Sequence, residues 1–131
     1  MPDVSWLGVI VATLASFAIG GAWYSPVLFS RAWQRETGVS DEKAKSANMP
    51  LIFGTTFVLQ FLAALVFAMF LGPRPGLAFG VAAGFAAGLF WVAGAFGVNY
   101  LFEQRSLKLW LINGGYNVVT FTVFGAILGV L

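Results

Sequence analysis

Four apolar runs divide the chain. They extend from Val4 to about Trp23, from Leu51 to about Leu71, from Leu77 to about Phe102, and from Leu107 to Leu131. A helix needs about 20 apolar residues to cross a ~30 Å hydrocarbon core, and each run meets that length. The pattern predicts an all-α integral membrane protein: a four-transmembrane-helix bundle of two hairpins, in a single transmembrane domain over residues 1–131. The third run is longer than a bilayer requires and is expected to tilt or project. The first is expected to be a retained span. Met1-Pro2-Asp3 brings an acid and no Lys or Arg, and the run outlasts the apolar stretch of a cleaved signal peptide.

The connections carry their own pattern. Ser25-Pro26 has the form of an N-cap with Pro at the first helical position. Beyond it, Leu28, Phe29, Ala32 and Trp33 fall on one side of a helix, with Arg31, Gln34 and Arg35 on the other. This predicts a short amphipathic helix over about 26–37, ended by Gly38, which suits the interface with its apolar face in lipid; the alternative is that the segment folds back under the bundle. Ser40-Asp41-Glu42 opens a further helical turn, and Pro50 suits the first turn of the second span. Gly72-Pro73-Arg74-Pro75-Gly76 is a tight turn. Glu103-Gln104-Arg105-Ser106 is a short polar connection.

Composition narrows the chemistry. Hydrophobic residues make up 60% and charged residues 9% of the chain, too few charges to coat a water-soluble domain. There is no Cys and no His, which excludes disulfides, thiolate nucleophiles, Cys/His zinc sites and His-ligated haem. No nucleophile–base pair or metal set stands out, so no enzyme activity and no cofactor are expected. The charge is +2, without a basic patch interleaved with aromatics, so the expected partner is the lipid bilayer and not nucleic acid. Of the seven Lys and Arg, Arg31, Arg35, Lys43 and Lys45 lie between spans one and two, Arg105 and Lys108 between three and four. Only Arg74 is on the other side. The positive-inside rule then puts both termini on the non-cytoplasmic side.

Two sets of residues are candidates for function. Small residues recur four apart: Gly80, Gly84 and Gly88 on the third span, Gly8, Ala12, Ser16 and Gly20 on the first, Gly125 and Gly129 on the fourth. Such rows let backbones approach closely, either within one bundle or along a seam between copies. The second set is uncharged and polar. Thr13, Gln60 and Asn117 each fall roughly 15 Å from the basic end of their spans, near the midplane. Asn99 and Asn113 flank the last connection. Asn113, Asn117 and Thr120 share a helix face, and Asn99, eleven residues past Gly88, is expected on the close-packed seam. These groups read either as interhelical hydrogen bonds or as a polar pocket open to the cytoplasmic side, lined by Gln60, Asn99, Asn113, Tyr116 and Asn117. Trp23, Tyr24, Tyr100 and Trp110 are expected as interface anchors.

Gly21-Ala22-Trp23-Tyr24-Ser25-Pro26, followed by Phe29 and Trp33, resembles the first-span signature of the bacterial membrane family called domain of unknown function 1761. Asn99-Tyr100-Leu101-Phe102-Glu103, then Leu107-Lys108 and Ile112-Asn113-Gly114-Gly115-Tyr116-Asn117, resembles its second signature. The chain departs from the family pattern at Asn117, where His is frequent, so that position offers no titrating group. The resemblance implies a small multi-pass protein of the bacterial inner membrane and no assigned activity. The expected role is structural or accessory, through helix–helix contacts with itself or a larger complex, as a homo-oligomer or subunit. The alternative is a carrier or channel for a small solute or lipid that uses the polar groups.

Overall fold

The structure, a computed structural model, describes residues 3–131. Its elements are helices: α1 (Trp6–Trp23), α2 (Ser30–Thr37), α3 (Asp41–Lys45), α4 (Met49–Leu71), α5 (Leu77–Ala86), a wide-turned π segment (Ala87–Ala93), α6 (Gly94–Phe102) and α7 (Leu107–Val130). α5, the π segment and α6 run on as one span. Four helices are long and apolar enough to cross a membrane, and the chain is an all-α four-helix membrane bundle.

Local chemistry sets the helix starts. Ser5, Ser40, Asn48 and Ser106 each cap a helix by accepting a backbone N–H with the side-chain oxygen, at 3.0–3.1 Å. Asn48 makes α4 begin at Met49, two residues ahead of the apolar run, with Pro50 in its first turn. Ser25 does not cap. Its hydroxyl donates backwards to the Ala22 carbonyl at 2.7 Å, and Ser25 and Trp23 carbonyls hold a turn that delays α2 until Ser30. The expected 26–37 helix is therefore shorter at its N-terminal end. Gly38 closes it in the left-handed conformation, φ 77°.

The helix α7 is the centre of the bundle, packed on α1, α2, α4, α5, the π segment and α6. Its closest partner is α5. A methyl group on Gly80 would overlap the Gly125 carbonyl, and one on Gly84 the Phe121 carbonyl; one on Gly88 would lie 2.9 Å from Val118 Cα. The Gly80, Gly84 and Gly88 face is thus filled by this chain's own α7. The core proper is small-residue and aromatic: Val9, Ala12, Ala64, Ala87, Phe124 and Leu128. The helix α4 buries only Ala64, Phe67 and Ala68 and leaves most of its length exposed.

α2 folds back under the bundle and packs onto α7. Trp33 sits edge-on to Tyr24, ring centroids 6.2 Å apart, and the Ser106 hydroxyl donates to the Glu36 carboxylate. Both basic connections therefore meet at one end. At the other end, the Gly76 N–H donates to the Gly129 carbonyl at 3.1 Å, and Asp3, Arg74 and Leu131 border one small cavity.

Candidate functional site

Two tyrosines organise the basic half of the bundle. Tyr116 of α7 lies over Gly20 of α1, where an added Cβ would come 3.4 Å from its hydroxyl. That hydroxyl donates to the Ser16 carbonyl at 3.0 Å and accepts from Gln60 Nε2 at 3.3 Å, joining α1, α4 and α7. Tyr24, at the end of α1, donates to Asn113 Oδ1 at 2.7 Å, and Asn113 Nδ2 donates to the Tyr100 hydroxyl at 2.8 Å. The Tyr24 and Tyr116 rings are 5.5 Å apart, so the two polar groups adjoin.

Two tryptophans, Trp23 and Trp110, face inward. Trp23 Nε1 donates to the Ile112 carbonyl at 2.8 Å, its ring over Gly115, where a Cβ would lie 3.0 Å away. Trp110 Nε1 donates to the Ala93 carbonyl at 2.8 Å, its ring against Gly97 and Gly114. A buried indole N–H needs an acceptor, and glycine lets the ring come near enough to the helix to reach one. These rings tie neighbouring helices together. The two signature stretches meet through these bonds, Trp23 and Tyr24 from one, Ile112 and Asn113 from the other.

Beside Tyr116 and Tyr24 opens a cleft of about 720 Å³ between α1 and α4, roofed by α2 and α3. Phe17, Gly21, Trp33, Ile52 and Phe53 supply most of its apolar wall, and Ser16, Ser30, Gln34 and Thr56 its other polar groups. No charged side chain lines it. The Thr56 and Ser30 hydroxyls have no hydrogen-bond partner among the described residues, whereas Gln34 Nε2 is held by Asp41 at 2.8 Å.

The expected polar pocket is redrawn by these positions. Gln60, Asn113 and Tyr116 are brought together; Thr13, Asn99 and Asn117 are not. Thr13 is fully buried and donates to the Val9 carbonyl of its own helix at 2.8 Å, as a helical Thr readily does. Asn117 Nδ2 likewise turns back to the Asn113 carbonyl at 2.9 Å. Asn99 is exposed and off the close-packed seam. The π segment is the cause. Regular α turns would bring residue 99 round to the Gly88 face, but a wide turn absorbs an extra residue and rotates the remainder of the span by roughly 100°. Tyr100 takes the inward place instead. Phe102 and Glu103 are exposed; Glu103 pairs with Arg105 at 3.4 Å in the connection. Pro26 is exposed in the turn before α2. Thr120 is fully buried, and its hydroxyl has no partner among the described residues.

Ser16, Gly20, Gly21, Trp33 and Thr56 line the cleft, although depth along the spans did not mark them as a polar site. The available signal was the small pair Gly20-Gly21 directly ahead of Trp23-Tyr24, a gap flanked by large rings. Among the described residues, no group of three or more His, Cys, Asp or Glu could hold a metal ion. No curated protein and no solved structure matches the chain. The family described as protein of unknown function (DUF1761) matches residues 7–129, nearly the whole length, and the chain belongs to that family.

Proposed function

We propose that this protein binds a small neutral molecule in the cleft between its first two spans, as a carrier or receptor for a membrane-soluble solute or lipid. The cleft itself carries the reading. Its volume of about 720 Å³, its mostly apolar and aromatic wall, and a few convergent hydrogen-bonding groups are the usual make-up of a small-molecule site. The wall is not sealed, since Ile52, Phe53 and Gly21 are exposed where α1 and α4 part. In this reading the basic end faces the cytoplasm of a bacterial cell, because six of the seven Lys and Arg lie there. The protein binds and does not catalyse.

The accessory role is the second reading, and the exposure of α4 favours it. Val58, Leu59, Leu62 and Phe70 present a long apolar face that another helix, from a second copy or a larger complex, could cover.

Purification in mild detergent tests both. Organic extraction and mass spectrometry are expected to find a neutral hydrophobic compound near one per chain. It should be lost in Gly21→Phe, because Gly21 lines the cleft with open space at its Cβ position, which the new ring would fill. Equal recovery from both proteins overturns cleft binding, and a stoichiometric foreign subunit in the purified particle supports the accessory role.

A further inference from the structure

Depth decides what kind of head group the cleft can take. Counted at 1.5 Å per residue from the basic ends of their helices, Ser16 and Thr56 lie about 10 Å in and Tyr116 about 14 Å in. A phospholipid keeps its phosphate at the interface, well above that level. Burying a charge so deep requires a partner, and the cleft has no charged side chain to offer. The head group that fits is uncharged.

The hydrogen-bonding groups specify it further. The Tyr116 hydroxyl is already used in both directions, and Tyr24 donates to Asn113. What stays free is the Thr56 hydroxyl at depth and, nearer the roof, the Ser30 hydroxyl and the Trp33 indole N–H, each a donor without a partner among the described residues. Free donors in a mostly apolar cleft call for a ligand with acceptors. Around them stand the rings of Phe17, Tyr24, Trp33, Phe53 and Tyr116, which suit a flat ligand that can stack. A bulky apolar tail can leave through the exposed gap between α1 and α4 into lipid.

We propose that the cleft's occupant is a lipid-soluble quinone: a neutral, planar, carbonyl-bearing ring on an isoprenoid tail, held at a carbonyl by Thr56. This rests on the reading that the cleft binds a molecule. It is a binding site, and no electron transfer is part of it.

Decylubiquinone is the probe, added to the full chain in lipid nanodiscs, with tryptophan fluorescence as the readout, because quinones quench an indole they touch. Saturable quenching is expected, with most of its amplitude lost in Trp33→Phe. Affinity should fall at least tenfold in Gly21→Phe, which blocks the cleft, and severalfold in Thr56→Val, which keeps the shape and removes the donor. Melting temperatures matching the parent identify folded variants, and Thr56→Val carries the test if Gly21→Phe does not fold. Unchanged affinity in a folded Thr56→Val variant overturns the proposal. A melting temperature raised by dioctanoylglycerol, with neither quenching nor stabilisation by decylubiquinone, overturns the quinone while leaving cleft binding intact. Stronger competition by a short-chain phosphatidylglycerol overturns the neutral head group. Binding of none of the three overturns both readings.

Discussion

Asn99 and Asn113 are the same residue type on either side of one short connection, yet they do opposite things. Asn113 stands between Tyr24 and Tyr100 and satisfies both hydroxyls, at 2.7 and 2.8 Å. Asn99 is exposed, with no side-chain hydrogen bond among the described residues. Replacing Asn113 by Leu strands two tyrosine hydroxyls, and an unmet polar group costs ~1–3 kcal/mol where water is excluded. Thermal unfolding in detergent should show a clear loss of stability for Asn113→Leu and a change within about 0.5 kcal/mol for Asn99→Leu. Equal effects would mean that the π segment does not turn Asn99 outward. Asn113 was legible as a polar residue of consequence from its place in an apolar run. Its partners were not, because both tyrosines read as ordinary interface aromatics.

At the scale of elements, the contact between α5 and α7 is the tightest in the molecule, and it is backbone on backbone. Gly84 has no room for a Cβ, since the Phe121 carbonyl occupies the place and a carbonyl in a helix cannot swing aside. Inside lipid, helices gain little from the hydrophobic effect and hold together by this kind of close packing. Gly84→Val is expected to destabilise by at least ~3 kcal/mol, above the usual range for overpacking because backbone must move. Gly54→Ala on α4, where nothing lies within 4 Å, should be neutral or stabilising by up to ~1 kcal/mol through helix propensity. Melting temperatures of the two variants check the contrast. The spacing of Gly80, Gly84 and Gly88 made a packing face readable; which helix would fill it was open between α7 and a second copy. The wide turn after Gly88 had no sequence signal that periodicity could use, and every face assigned beyond it was offset in consequence.

For the whole molecule, the two basic connections converge. Glu36 of α2 accepts from Ser106, so Arg31, Arg35, Arg105 and Lys108 gather at one end. The positive-inside rule predicts that end in the cytoplasm and residue 131 outside. A C-terminal fusion to alkaline phosphatase, active only outside the cytoplasm, should therefore be active, and one to green fluorescent protein dark. The reverse result would invert the orientation and place the cleft in the outer half of the bilayer.

Length and hydropathy alone determine that this chain has four spans, where each connection falls, and that no charge lies deep in the membrane. These are one-dimensional properties: a backbone in lipid has to satisfy its own hydrogen bonds, so a long apolar run becomes a helix whatever its neighbours are. Which polar residues meet depends on helix rotation and partner choice, and those belong to the tertiary structure. One extra residue in the turn at Ala87–Ala93 exchanged Asn99 for Tyr100. One serine bonding backwards at Ser25 delayed α2, and α2 then folded under the bundle to roof a cleft between α1 and α4. A cleft is space between helices, and its walls come from residues far apart in the chain, none of which carries that space in its own sequence neighbourhood.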